Sequence, residues 1–243
     1  MKLTEKTVEK VRNALITAKL NFRAMLNKGE KLKVVITKGN RKIGKTHNVS
    51  LPPYLTCGKQ CEKCGCKYLC YDARACLQYT NVCNARAKNL AILEHNINDY
   101  FGQIDNYIIK TRKNKYFRFH VGGDIPNYEY FCKMVELAKK HEDWVFWTYT
   151  KKYDIVNKYC KEHGNTKKAI PQNLSIMFSK WDGLKMVNPF EFAEFRFIPK
   201  TDINKPKTID IINKGLKCNG NCQECIHRHE HCITNQTTYV IEH

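Results

Sequence analysis

The sequence predicts an α/β protein: a partial (β/α) barrel or open parallel sheet, with an N-terminal helix and a Cys-rich, metal-binding C-terminal tail. Three observations predict it. The middle of the chain alternates strand-like and helix-like segments at about thirty residues per unit, which implies parallel strands joined by right-handed crossovers. The first segment carries an apolar stripe at steps of three and four. Nine of the thirteen cysteines fall into two short groups, one on each side of the alternating region.

Taken in order, Val8, Val11, Leu15, Ala18, Phe22 and Met25 predict an amphipathic helix over 4–27, ended by Lys28-Gly29. Residues 32–37 read as a short strand. Residues 48–53 are extended, because Pro52 and Pro53 forbid a helix. A cysteine loop follows, with too little apolar sequence to pack by itself. Leu90, Leu93 and Ile97 predict a helix over 84–100. Strands are then expected at 116–121, 144–149, 174–178 and 195–198, with helices at 128–140 and 153–162. Four such strands are too few for a complete eight-stranded barrel. Residues 201–207 read as a linker and 238–241 as a short apolar strand. The expected division is 1–47 (helix and strand), 48–200 (α/β core) and 201–243 (metal-binding extension).

A content of 42% hydrophobic and 27% charged residues is that of a globular chain. The formal charge of +19 points toward a polyanionic partner, nucleic acid above all. Lys as a default surface residue explains it equally well, since the basic residues are spread from Lys2 to Lys217 without a dense tail. The N-terminus lacks the apolar run of a signal peptide, and no stretch is apolar for the length of a membrane span. The expectation is a cytoplasmic protein with no membrane association. In a reducing compartment structural disulfides are rare, so the grouped thiols are read as metal ligands.

Cys57, Cys61 and Cys64 form a C-x3-C-x2-C array, with Cys66 and Cys70 just beyond. Three thiolates on a loop after a strand can each take one iron of a [4Fe–4S] cluster and leave the fourth open. Four of the five could instead close a tetrahedral zinc site. The strand ending at Val121 runs into Gly122-Gly123-Asp124-Ile125-Pro126 and then a helix. Together, the cysteine loop and this turn resemble radical S-adenosylmethionine enzymes, in which a Gly-Gly-Glu-Pro turn meets the methionine amino group. Lys63 stands where that family usually has an aromatic residue, and Asp124 where it has Glu; Cys66-x3-Cys70-Tyr71 is a rival triplet. The resemblance implies a cluster that binds S-adenosylmethionine at Gly122, Gly123 and Asp124, an electron donor as partner, and hydrogen abstraction by an adenosyl radical.

Further candidates come from position. Thr148 and Lys151 end one strand and Ser179 the next, where ligands of parallel sheets gather. Alternation puts His120 on the face of Arg118, opposite Phe117 and Phe119, as a residue that acts on a substrate or as a structural histidine. Asp124, beside the paired glycines, is the second candidate catalytic group.

Several stretches resemble the gene product 88 family of phages and mobile elements. They are Ser50-Leu-Pro-Pro53 leading to Cys57, Cys66-x3-Cys70-Tyr71-Asp-Ala73, Phe117-Arg-Phe-His120-Val-Gly-Gly-Asp124, Phe146-Trp-Thr-Tyr-Thr-Lys151 and Leu174-Ser-Ile-Met-Phe-Ser-Lys-Trp181. The resemblance implies a phage or integrated-element origin. It favours Cys57, Cys66 and Cys70 as ligands.

Cys218, Cys222 and Cys225 repeat the C-x3-C-x2-C spacing, with Cys232 beyond. Four thiolates leave no open position, which suits a structural or electron-relaying site. It resembles the auxiliary cluster of many radical-SAM proteins, while His227, His229 and His231 favour zinc. The rival from another class is a non-catalytic, metal-stabilised nucleic-acid-binding protein, favoured by the charge and by aromatics interleaved with Lys in 113–118. No carboxylate cluster suggests a nuclease.

Overall fold

The computed structural model describes residues 2–39, 43–181 and 183–242. Its centre is a seven-stranded sheet in which strand order follows chain order. β1 (Ile36–Thr37) runs antiparallel to β2 (His47–Val49). β3 (Tyr116–Phe119), β4 (Val145–Thr150), β5 (Leu174–Lys180), β6 (Glu194–Ile198) and β7 (Thr238–Ile241) then each pair in parallel with the strand before. Six strands are therefore parallel, not four. The extended segment after residue 46 and the final apolar segment both join the sheet, which the pattern alone did not require. β1 and β7 are its edges, so the sheet is open.

A strictly sequential parallel order has no reversal, so right-handed crossovers all fall on one face. That face carries Phe117, Phe119, Phe146, Ile176 and Phe178, packed with Tyr100, Ile104, Tyr130, Phe131 and Val156 from the crossover helices. Between β2 and β3 the chain forms α2 (Lys59–Lys63), α3 (Cys66–Leu69), α4 (Tyr71–Gln78), α5 (Thr80–His95) and α6 (Ile97–Lys110), after the N-terminal helix α1 (Glu5–Asn27). The helix expected over 84–100 is thus two. Asn96 breaks it, because its side chain accepts a 3.0 Å bond from the Asp99 amide and caps α6. α7 (Tyr128–Lys140) and α8 (Tyr153–Glu162) fill the next two crossovers.

The opposite face is covered by residues 222–234, whereas Ile211, in residues 206–213, packs on Ile198 and Ile241 of the crossover face. α9 (Pro206–Asn213) begins inside the expected linker, with Pro206 in the first turn, where its missing amide is not needed. α10 (Cys222–Arg228) and the 3-10 turn His231–Thr234 then lie on Trp147 and Met177 through Cys222, Ile226, Cys232 and Ile233. With both faces covered, β5 is buried from Leu174 through Ser179, as internal parallel strands are.

α1 buries Val8, Val11 and Leu15, the stripe read from the sequence. Its partners are Tyr54, Cys61, Cys66, Ala73 and Ala87, so the helix is a wall of the first cysteine group. Glu5 and Glu62 share Lys67 at 3.2 and 2.8 Å, and Arg12 reaches Glu62 at 2.5 Å, tying that wall in place at the surface. Among the described residues no helix is long and apolar enough to cross a membrane.

Candidate metal centres

The first cysteine group sits at the C-terminal end of β2, stitched to the turn that follows β3. Leu51 N donates to Gly122 O at 3.0 Å, Gly122 N donates to Ser50 Oγ at 3.2 Å, and Asp124 N donates to Thr56 Oγ1 at 3.1 Å. Gly58 and Gly65, both at φ 65°, then fold the chain into two short helices that turn the thiols inward. Cys61 and Cys66 bring their sulfurs to 3.5 Å. Cys57 also faces Cys61, and Cys64 faces Cys66. Donation from Cys61 and Cys64, followed by the charge of Lys151, pulls Cys66 down into the thiolate range, while the two donors are pushed up. Burial pushes Cys70 up to about 12, with Cys57 and Asp72 adding to it. Cys76 and Cys83 are also buried nearby, and burial keeps both as neutral thiols. The five cysteines singled out in the sequence therefore share one cluster, in which their sulfurs approach in pairs and, among the described residues, no three lie mutually within 4.8 Å.

Lys151, just past β4, points at them. Burial opposes its charge, but the Cys66 thiolate, Asp124, Cys57 and Cys64 outweigh burial and hold it protonated. Its ammonium lies 5.6 Å from the centre of the Trp181 ring, which stacks on Phe197 at 4.3 Å and packs against the cysteine group. Trp181 directly follows the end of β5, a position where ligands of parallel sheets gather. Ser179 is buried under it and accepts the Trp181 Nε1–H at 3.2 Å.

Asp124 lies elsewhere than expected. Its carboxylate is 3% exposed and accepts from Thr150 Oγ1 at 2.6 Å, Ile125 N at 2.8 Å and Lys151 N at 2.9 Å. It ties the end of β3 to the end of β4. Burial pushes its carboxyl up, and Lys151, Thr150 and the two amides pull against that. Asp124→Ala orphans three buried donors and is expected to lower stability by about 2–4 kcal/mol, measured by urea titration. A loss below about 1 kcal/mol would show that water replaces the carboxylate.

His120 needs a correction. Alternation fails at this residue, which has φ 60° and turns to the helix face. Its Nε2 lies 3.0 Å from the Tyr130 hydroxyl and its Nδ1 3.4 Å from Thr148 Oγ1. Thr148, fully buried, is thereby also turned away from the cysteines. Both are braces beneath the turn and not ligand-facing groups. The two glycines are needed for the protein's own chain. A Cβ on Gly122 would lie 1.8 Å from Asp72 Oδ2, and one on Gly123 2.6 Å from Leu51 O. Asp72 holds Arg86 at 3.0 Å in a buried pair that the sequence reading missed; a lone acid after Cys70-Tyr71 was its only signal.

The second cysteine group lies on the other face of the sheet. Burial raises the thiols of Cys218, Cys225 and Cys232, the last two up to about 12, and the neighbouring Cys222 adds to all three. Cys225, Glu230 and His231 have ligand atoms all within 4.8 Å of one another. Of the three histidines read as imidazole donors, His231 is buried; His227 and His229 are not. Under the group lies Arg118, with its guanidinium 4.6 Å from the Tyr149 ring centre and Nη1 3.9 Å from Cys222 Sγ. A charge alternating with Phe117 and Phe119 was the signal for this residue, and it was not used.

No curated protein and no solved structure matches this chain. A family model does match, and it spans the first cysteine loop, the sheet through β6 and the second cysteine group. The chain belongs to the gene product 88 family, over residues 25–234.

Proposed function

We propose that this protein is an iron–sulfur enzyme of radical-SAM type, of phage or mobile-element origin. The observation that carries the reading is the convergence of Cys57, Cys61, Cys64, Cys66 and Cys70 at the C-terminal ends of parallel strands, with Lys151 directed at them. The donor set fits the group: soft thiols, one already drawn toward thiolate, in a partly buried loop. Three of the five are the ligands, and Cys57 belongs to both triplets that the sequence offers. When bound, a [4Fe–4S] cluster with an open iron supplies the electron that cleaves S-adenosylmethionine. The chain's own part is positioning. Lys151 puts a fixed positive charge beside the cluster's place, suited to a carboxylate of the cofactor. Trp181 and α1 keep water from the thiols. Asp124 fixes the Lys151 backbone, which makes it a positioning residue.

Anaerobically purified protein is expected to be brown and to contain about four irons at this group, with Cys57→Ala losing them. Reduction in the presence of S-adenosylmethionine should release 5′-deoxyadenosine. Iron without that release would leave a redox centre and end the enzyme reading.

One contact favours a second reading. Zn–S bonds of about 2.3 Å at tetrahedral angles put two ligand sulfurs about 3.8 Å apart, close to the 3.5 Å between Cys61 and Cys66. Together with the charge of +19, this supports a zinc-stabilised nucleic-acid-binding protein. Colourless protein with zinc at this group and salt-dependent binding to DNA or RNA would establish it in place of the first.

A further inference from the structure

His231 is 4% exposed, and its Nδ1 has no hydrogen-bond partner. Its Nε2 is 3.6 Å from Glu230 Oε1, beyond a hydrogen bond. Leaving such a nitrogen buried and unpaired is unfavourable unless something binds it. A ring nitrogen lies within 4.8 Å of Cys225 Sγ and of a Glu230 carboxylate oxygen, at the Cys225 side of the second cysteine group.

Cys232 behaves differently from its neighbours. Its sulfur faces the sheet, 3.9 Å from Thr238 Oγ1 and against the Tyr149 hydroxyl. Two hydroxyls thus already occupy the thiol that spacing alone names as fourth ligand. Arg118 adds an independent observation. It is a cation in the floor of this site, its Nε has no partner, its guanidinium lies over the Tyr149 ring and its Nη1 is 3.9 Å from Cys222 Sγ. A guanidinium so placed calls for an anion, and neutral thiols do not supply one.

We propose that Cys218, Cys222, Cys225 and His231 bind a structural zinc ion, with Arg118 as counter-ion to the Cys222 thiolate and Cys232 outside the ligand set. Three thiolates on Zn²⁺ leave one net negative charge, which Arg118 neutralises. A nitrogen donor completing a closed tetrahedron selects zinc over an iron–sulfur cluster. The ion clamps α10 and the turn His231–Thr234 onto Trp147 and Met177, and its binding energy is folding energy for that segment. The site goes beyond the function proposed above and does not rest on it.

Elemental analysis of the full chain, with zinc affinity measured against a chromophoric chelator, tests this. One zinc per chain is expected, retained in Cys57→Ala and in Cys232→Ala. Affinity should fall at least tenfold in His231→Ala and Cys222→Ser. The cobalt(II)-loaded protein should show ligand-field bands of a three-sulfur, one-nitrogen site, moving toward a four-sulfur spectrum in His231→Cys, which keeps a fourth ligand and so a folded tail. Zinc lost from Cys232→Ala but kept by His231→Ala would overturn the assignment in favour of four thiolates. Iron at this group, unaffected by His231→Ala, would also overturn it. Failure of the function proposed above shows as iron or 5′-deoxyadenosine missing at the first group while this zinc remains.

Discussion

Gly123→Ala is expected to lower stability by about 2–5 kcal/mol, before any question of activity arises. Gly123 has φ +80°, which costs an L-residue about 1–2 kcal/mol. A Cβ there would stand 2.6 Å from Leu51 O, 2.7 Å from Thr56 Oγ1 and 2.8 Å from Leu51 C. Two of these atoms are backbone, in the segment that leads from β2 into the cysteines. They cannot yield without breaking the 3.0 Å bond from Leu51 N to Gly122 O. Overpacking of this kind adds about 1–3 kcal/mol, and the total is a large share of the 5–15 kcal/mol (roughly) that holds a domain together. Gly29→Ala is the control: φ is +84° and nothing lies within 4 Å of the new Cβ, so it isolates the backbone cost. Urea titration of the two variants makes the comparison. Equal midpoints would mean that the turn and the cysteine loop are not packed against each other.

The same contact explains what the sequence could and could not convey. Paired glycines after a strand read as a place where something comes close, and something does. Sequence spacing could not say that the close body is the chain's own Leu51 and Asp72, because that depends on β2 lying parallel beside β3. Local periodicity identified β3, β4, β5 and α7, whose apolar faces are set by their own residues. It did not place β2 and β7 in the sheet. β7 was legible as a strand but not as a sheet member, and β2, three residues long, is a strand through pairing with its neighbours and not through its composition. The cysteine groups were legible as groups. Which donors could share an ion was not: His231 and Cys232 are adjacent in sequence, and His231, not Cys232, lies with Cys225 and Glu230 within 4.8 Å.

His120 shows the same limit, and its burial has a consequence for pH. The imidazole is enclosed on the helix face, with hydroxyls of Tyr130 and Thr148 at its two nitrogens and no carboxylate to hold a proton. Burial, and then the charge of Arg118, push it down to about 3, against roughly 6.5 in an unfolded chain. Because the folded value is the lower one, acid favours the unfolded state. The stability tied to this group is complete above pH ~6.5 and is lost as pH falls from there toward ~3, by about 4–5 kcal/mol over the whole span and about 2 kcal/mol by pH ~5. His47, also pushed down by burial, acts in the same direction. His120→Asn isolates the term, since Asn tolerates the positive φ and has no proton to gain. Between pH ~7 and ~5 the wild-type protein should lose about 2 kcal/mol more than the variant in parallel urea titrations, as all other titrating groups are shared. Equal losses would mean that water or a rotated ring reaches His120 when it protonates. A steeper wild-type slope would identify the residue as the brace that turns the end of β3 toward the helices and so delivers Gly122 and Gly123 against the cysteine loop.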